Sequence, residues 1–175
     1  MNVLVFALSV VVGLMIAEAR VSSANEQRLL QRGAIEPPGD VYRVMAWLYP
    51  ACFLLMGGEG IWRAAAAGPG MSGNYEPSWT ASGIVLFAAS KVLKYWAIRS
   101  LGERWTFKVL VLPGVPLVTD GPYRYVAHPN YIAVVGELVG TAMMFGALIT
   151  GPLMVTAFGL ALVARLKFEQ RALQI

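Results

Sequence analysis

The sequence predicts an all-α integral membrane protein with about five transmembrane helices and short loops. Of its 175 residues, 57% are hydrophobic and only 14% are charged, and the mean hydropathy is +0.60. Soluble domains usually carry about 25% charged residues. A soluble chain of this length could not bury so much apolar surface in one core. We therefore expect one membrane domain over residues 1–175, in contact with the lipid bilayer and with no nucleic-acid partner.

Five apolar segments account for most of this hydropathy. Each is close to the roughly 20 residues that a spanning helix requires. They cover about residues 2–19, 44–66, 80–98, 131–149 and 152–164. Only Thr150-Gly151-Pro152 separates the last two, which predicts a tight helical hairpin. The single cysteine, Cys52, lies in the second segment and is expected to be a small buried apolar residue.

The first segment has an alternative interpretation as a cleaved signal peptide. Ala17-Glu18-Ala19 resembles the A-x-A pattern that precedes a cleavage site. However, no Lys or Arg precedes the apolar run, and Arg20 follows it directly. We favour a membrane helix.

The distribution of Lys and Arg predicts the orientation of the chain. The two long connections, residues 20–43 and 99–130, together with the tail, residues 165–175, hold eleven Lys and Arg residues, whereas the opposite side holds only Arg63. Positive residues concentrate on the cytoplasmic side of membrane proteins. We expect the N-terminus outside, both long connections and the C-terminus in the cytoplasm, and a bacterial inner membrane as the location.

Both cytoplasmic connections contain recognisable local patterns. The first is predicted to form a short amphipathic helix that ends at Gly33. The second has strand-like runs on either side of Pro113-Gly114 and is too short and interrupted to span, so we expect it to lie at the membrane interface.

On the outer side, Gly68, Gly70 and Gly73 match the dinucleotide-binding pattern G-x-G-x-x-G. That motif requires a preceding strand, and here the preceding segment is a predicted membrane helix. We interpret this stretch as a loop.

Charged residues inside the apolar segments need partners or access to water. Glu59 and Arg63 are four residues apart and are predicted to pair on one helix face. Lys94 is predicted to extend to the headgroups. For Lys91 we favour the same arrangement over an orientation toward the bundle interior, where a cation would orient an anionic substrate.

Glu137 lies in the fourth segment, on the same helix face as Asn130 and Thr141. An acid in the bilayer costs about 2.5 kcal/mol or more and usually indicates a functional site. A hydrogen bond between helices is the alternative, and the sequence does not decide between them.

The only histidine, His128, precedes the fourth segment. Pro129 favours the first turn of a helix, so His128 is predicted near the N-cap, where unpaired backbone N–H groups attract anions. Arg124 is nearby, and the hairpin returns Glu169 and Arg171 to the same side. We expect a charged pocket at the membrane surface, suited to a soluble charged cofactor and a lipophilic substrate.

These segments resemble one known family. "GPYRYVAHPNY", followed by an apolar hairpin and "RLKFEQRAL", is similar to the isoprenylcysteine carboxyl methyltransferase family, particularly its short bacterial members. "EQRLLQRGAIE" and "LGERWTFKVLVLPGVPLVTDGPYRY" share the resemblance. It implies an S-adenosylmethionine-dependent methyltransferase with a helical membrane fold and no Rossmann domain.

The resemblance also implies site residues. The cofactor would be enclosed by the H-P-x-Y segment and the acidic tail, here His128, Pro129, Tyr131, Glu169 and Arg171. The lipid chain of the acceptor would enter between helices. The family commonly has an arginine where this chain has Ala127, and the candidates to replace it are Arg124, Lys91 and Arg165.

The sequence does not determine the chemical class of the methyl acceptor. Methyl transfer from a sulfonium mainly requires alignment of the two reactants. A carboxylate needs no base, whereas the hydroxyl of a long-chain alkylpyrone or the amine of a phospholipid would benefit from one, for which His128 is the obvious candidate. We predict O-methylation of a carboxylate or hydroxyl of a lipophilic, isoprenylcysteine-like acceptor, and of the two we favour the carboxylate. The predicted catalytic residues are His128, Arg124 and Glu137. A non-enzymatic scaffold or transporter subunit is the alternative from another class.

Overall fold

The computed structural model describes residues 2–67 and 77–173, and most of these residues are helical. The five long helices are α1 (Asn2–Gln31), α2 (Tyr42–Ala66), α3 (Pro77–Leu101), α4 (Pro129–Phe145) and α5 (Thr150–Leu173). Two short 3-10 helices, Gly102–Arg104 and Gly121–Arg124, lie in the long connection between α3 and α4. We call the end of the bundle that carries residues 32–41 and 102–128 the loop end.

Four of these helices, α1, α2, α3 and α5, are long and apolar enough to cross a membrane. Helix α4 has 17 residues, and at about 1.5 Å per residue it is shorter than the roughly 30 Å hydrocarbon core. The predicted all-α integral membrane fold is confirmed, with four helices of spanning length and a shorter one beside them.

Helices α1 and α5 run further than the apolar segments that predicted them. Helix α1 continues from the apolar run through the segment expected to form a separate amphipathic helix, because no Gly or Pro interrupts residues 20–31. Gly33 then follows with φ 86°, a conformation that glycine adopts at little cost. Helix α5 likewise continues into the predicted tail, as far as Leu173. Hydropathy marks where a helix can be in lipid, not where its hydrogen bonding ends.

The hairpin between α4 and α5 turns earlier than predicted. Gly146, with φ 59°, caps α4 through its N–H to the carbonyls of Ala142 and Met143. The predicted break at residues 150–152 instead forms the first turn of α5, where a proline is tolerated because no hydrogen bond is lost. The Glu59 carboxylate accepts the N–H groups of Ile149 at 3.1 Å and of Thr150 at 2.7 Å, and so caps this turn.

The predicted pair of Glu59 and Arg63 is confirmed at 3.7 Å. Cys52 is fully buried, as expected, beside Phe53 and Met56 in the apolar core. Helices α3 and α4 approach closely at Gly83 and Gly140. A Cβ atom on Gly140 would lie 2.7 Å from the backbone nitrogen of Phe87, so only glycine permits this separation.

The strand-like runs around Pro113-Gly114 form no sheet in the described part of the chain. One isolated antiparallel bridge joins Ile35 to Val111, and it holds the two loop-end segments together. The glycine pattern of Gly68, Gly70 and Gly73 lies outside the described residues.

Candidate active site

A cavity of about 620 Å³ extends from the loop end into the helix bundle. Its size falls within the range of small-molecule sites, about 300–1,000 Å³. Ionisable side chains line the part at the loop end: Arg104, Lys108, His128, Arg165 and Glu169. Apolar side chains predominate between the helices, including Val12, Met15, Leu54, Phe158 and Leu162. One cavity therefore joins a charged compartment to an apolar one.

His128 occupies the N-cap of α4, as the sequence predicted. Its backbone is not helical, with φ −131° and ψ 64°, and Pro129 takes the first helical position. The imidazole ring stacks on the ring of Tyr131, with centroids 5.3 Å apart and an interplanar angle of 11°. The side chain makes no capping hydrogen bond to the helix. The ring is thus oriented by stacking, and it lines the cavity.

Tyr131 connects the start of α4 to the end of α5. Its hydroxyl donates a hydrogen bond to the carboxylate of Glu169. Tyr123, from the second 3-10 helix, also lines the cavity nearby. Burial, and then the charge of Glu169, raise the pKa of Tyr123 well above its ordinary value, so this phenol stays neutral.

A buried pair of Asp40 and Arg165, which we call the loop-end pair, ties α5 to both long connections. Arg165 donates to the two carboxylate oxygens at 2.6 and 2.7 Å and to the Phe107 carbonyl at 2.6 Å. Asp40 also accepts the N–H of Val109 at 3.2 Å. Sequence reasoning proposed Arg165 only as a replacement for the family arginine, and it missed Asp40. The available signal was an acid directly after the Pro37-Pro38-Gly39 break.

Deeper in the bundle, four buried charged residues form what we call the bundle cluster: Glu18, Lys91, Lys94 and Glu137. Lys91 lies 2.6 Å from Glu18 and 3.2 Å from Glu137, and Lys94 lies 2.7 Å and 3.2 Å from the same two residues. Each carboxylate uses one oxygen for each lysine. The cluster joins α1, α3 and α4, and its formal charges cancel.

The bundle cluster corrects the prediction that Lys94 extends to the headgroups and that Lys91 favours the same arrangement. Lys94 is only 2% exposed and Lys91 only 7%. Two facing carboxylates inside the bundle stabilise the ammonium groups of both lysines there. Extending either side chain to the headgroups would therefore not stabilise it further. Glu18, considered only as part of a possible cleavage site, was missed. An acid within a spanning segment is itself the signal that would have found it.

The predicted site residues divide into two groups in the structure. His128, Tyr131 and Glu169 come together along the cavity. Arg124 and Arg171 are exposed, and neither is among the described residues that line it. Pro129 is buried beside His128.

On the polar face of α4, Glu137 and Thr141 are fully buried. Glu137 belongs to the bundle cluster. The hydroxyl of Thr141 donates a hydrogen bond to the backbone carbonyl of Glu137 at 2.7 Å. Asn130 lines the cavity and accepts a hydrogen bond from the indole of Trp105 at 3.4 Å.

Comparisons with known sequences identify the family of the chain. Residues 83–175 match the profile of the isoprenylcysteine carboxyl methyltransferase (ICMT) family. The Bacillus subtilis (strain 168) protein named "Uncharacterized protein YpbQ" is 31% identical over 158 residues, which is 90% of this chain and 89% of that protein. An "Uncharacterized protein" of Haemophilus influenzae is 31% identical over 91 residues, 51% of this chain and 52% of its own length.

No solved structure matches the chain significantly. The profile covers more than half of the chain, including the His128 segment, the hairpin and the tail, and the Bacillus relative extends the similarity over most of the remainder. The resemblance recognised from the sequence is confirmed: the chain belongs to the isoprenylcysteine carboxyl methyltransferase family.

Proposed function

We propose that this chain, as one domain over residues 1–175, is an S-adenosylmethionine-dependent methyltransferase that methylates a carboxylate or hydroxyl of a lipophilic acceptor at the membrane. Membership of the family supports a membrane methyltransferase in general. The observation that carries the finer proposal is the cavity, because it joins a charged compartment at the loop end to an apolar compartment between helices. A polar cofactor and a lipid-soluble acceptor need both.

The residues of the charged compartment fit the chemistry of S-adenosylmethionine. The molecule has a carboxylate, an ammonium group, ribose hydroxyls, an adenine ring and a sulfonium. Glu169 can accept hydrogen bonds from hydroxyl or ammonium groups, and Arg165 can donate to a carboxylate. Aromatic rings that can stack on adenine line the same compartment: Trp105, Phe107, Tyr123, His128 and Tyr131.

When bound, S-adenosylmethionine supplies an electrophilic methyl group. The task of the protein is to bind, orient and exclude water. Tyr131 and the loop-end pair hold α4, α5 and the connecting segments in place around the cavity. His128, oriented by its stacking on Tyr131, would take a proton at a ring nitrogen from an acceptor that has one to lose.

Three acceptor classes fit this proposal to different degrees. A carboxylate, as on an isoprenylcysteine, would be positioned by Arg104 or Lys108, which line the cavity. A hydroxyl, as on a long-chain alkylpyrone, would use His128 as the base. N-methylation of a phospholipid amine also requires loss of a proton. We favour O-methylation. Neither Arg124 nor Glu137 lines the cavity, so we assign both an indirect role.

For the location we propose a bacterial inner membrane with the N-terminus outside. The Lys and Arg residues concentrate at the loop end and in the tail, which supports a cytoplasmic position for both. The charged compartment would then face the side where a soluble cofactor is available.

Calorimetric titration of detergent-purified protein with S-adenosylhomocysteine tests the proposal. We expect saturable binding by the wild type and at least tenfold weaker binding by His128→Ala and Glu169→Ala, because both side chains line the charged compartment. Lys167→Ala is the matched control, since Lys167 is exposed on α5 two residues before Glu169. A folded wild-type protein that binds nothing would favour the scaffold or transporter alternative.

A further inference from the structure

One polar feature lies in the otherwise apolar part of the cavity. Tyr49 of α2 and Lys94 of α3 both line it, among neighbours such as Met15, Leu54 and Phe158. Tyr49 is seven residues beyond Tyr42, the first residue of α2, so it lies about 10 Å from the loop end of that helix. A polar group at this depth is costly unless it is satisfied, and such residues usually indicate function.

The hydrogen bonds that Tyr49 and Lys94 already make limit how either group can bind a ligand. The ammonium of Lys94 donates hydrogen bonds to Glu137 at 3.2 Å and to the Tyr49 oxygen at 3.1 Å, and its third interaction is the ion pair with Glu18 at 2.7 Å. The Tyr49 hydroxyl donates its only proton to Glu137. A phenolic oxygen accepts up to two hydrogen bonds. Among the described residues, no donor occupies the second acceptor position of the Tyr49 oxygen, and the Tyr49 hydroxyl has no proton left to donate.

The surroundings hold this oxygen in place and are electrically neutral. The Tyr49 ring packs against Phe53, with centroids 4.8 Å apart, and against Phe158 at 5.4 Å. The two lysines of the bundle cluster are balanced by its two carboxylates. An anionic ligand group would find no uncompensated positive charge here, and burying it without one is strongly unfavourable.

We infer that Tyr49 is the polar anchor for the acceptor in the apolar part of the cavity, and that it selects a lipophilic molecule with a neutral hydrogen-bond donor, a hydroxyl or N–H. Ethers and esters have no proton to donate to it, and carboxylates are disfavoured by their charge. The inference rests on the proposed function insofar as the ligand is the methyl acceptor. Lys94 and Glu137 act through Tyr49 as positioning residues.

The test compares 4-dodecylphenol with its methyl ether, in which a methyl group replaces the hydroxyl proton and so removes the donor. Binding is measured by calorimetry on protein in lipid nanodiscs without cofactor, with empty nanodiscs as the blank. We expect the wild type to bind the phenol about tenfold more tightly than the ether, the effect of one hydrogen bond worth about 1.4 kcal/mol. In Tyr49→Phe the ratio should fall to about one, through weaker binding of the phenol.

Tyr95→Phe is the matched control, because Tyr95 is adjacent to Lys94 in the sequence but is not among the residues lining the cavity. It should keep the tenfold ratio. A wild type that binds the two probes equally, or binds neither, overturns the inference without any variant. An unchanged ratio in a folded Tyr49→Phe protein, checked by its thermal unfolding, overturns it as well.

Titration of the same preparations with S-adenosylhomocysteine separates this inference from the proposed function. Binding of S-adenosylhomocysteine without discrimination between the probes contradicts the anchor alone. Discrimination between the probes without binding of S-adenosylhomocysteine supports a donor-selective lipid site and contradicts the methyltransferase proposal. Tyr49→Phe should leave S-adenosylhomocysteine affinity within about twofold, because Tyr49 lies away from the charged compartment.

Discussion

The bundle cluster and the loop-end pair both bury opposite charges, but they satisfy them in different ways. In the bundle cluster, the carboxylates of Glu18 and Glu137 are held by side chains, namely the two lysines and Tyr49. In the loop-end pair, backbone groups share the task, since Arg165 also reaches the Phe107 carbonyl and Asp40 the Val109 N–H.

This difference follows from location. Between helices, backbone groups are already used in helical hydrogen bonds, so only another side chain can satisfy a buried charge. At the loop end, irregular segments leave backbone N–H and carbonyl groups available. The bundle cluster should therefore tolerate the loss of one member less well than the loop-end pair does.

The largest expected effect is that of Glu137→Ala. This change leaves two lysines facing one carboxylate inside the bundle, and breaking a buried ion pair in this way costs about 3–5 kcal/mol. Reversible unfolding of the protein in detergent would measure the loss. The control is the double variant Lys91→Met, Glu137→Met, which keeps a neutral pair of Glu18 and Lys94 and should lose less. A double variant as unstable as the sum of the single variants Lys91→Met and Glu137→Met, measured alongside, would contradict the role of charge balance.

A smaller effect is expected from Asp40→Asn. Arg165 loses its counter-charge but keeps the Phe107 carbonyl, and the amide can still accept a hydrogen bond, so we expect a cost of about 1–3 kcal/mol. Affinity for S-adenosylhomocysteine should also fall, because Arg165 lines the cavity. Unfolding and calorimetry on the same sample measure both. A loss of stability as large as that of Glu137→Ala would contradict the comparison.

The smallest effect concerns the exposed pair of Lys108 and Glu36, 2.9 Å apart at the loop end. The hydrogen bond to Glu36 raises the pKa of Lys108. Because the pKa of Lys108 is raised in the folded state, the pair contributes fully to folding stability below the unfolded pKa of about 10.4. This contribution is lost as the pH rises through the folded pKa. We expect at most about 0.5 kcal/mol, because solvent screens exposed pairs.

Unfolding curves at pH 8 and pH 11, for the wild type and Glu36→Gln, measure this contribution. The stability difference between the two proteins should be present at pH 8 and should shrink at pH 11. A difference that grows at the higher pH would contradict the assignment.

Several features of the site follow from the sequence alone because their causes are local. Apolar runs of sufficient length predict helices in lipid, and the proline at position 129 places His128 at a helix N-cap, as the structure confirms. The spacing of Glu59 and Arg63 predicts a contact within one helix turn, and that contact is present at 3.7 Å. Even so, helix ends were misplaced where hydrophobicity changed but the helix did not stop.

What only the tertiary structure decided is which distant charges meet. Glu18 and Lys91 are 73 positions apart, and Asp40 and Arg165 are 125 apart. Periodicity assigns a residue to a face of its own helix, but the rotation and separation of neighbouring helices determine what that face meets. Here the separation of α3 and α4 depends on glycines such as Gly140, whose role is visible only once the two helices are packed together.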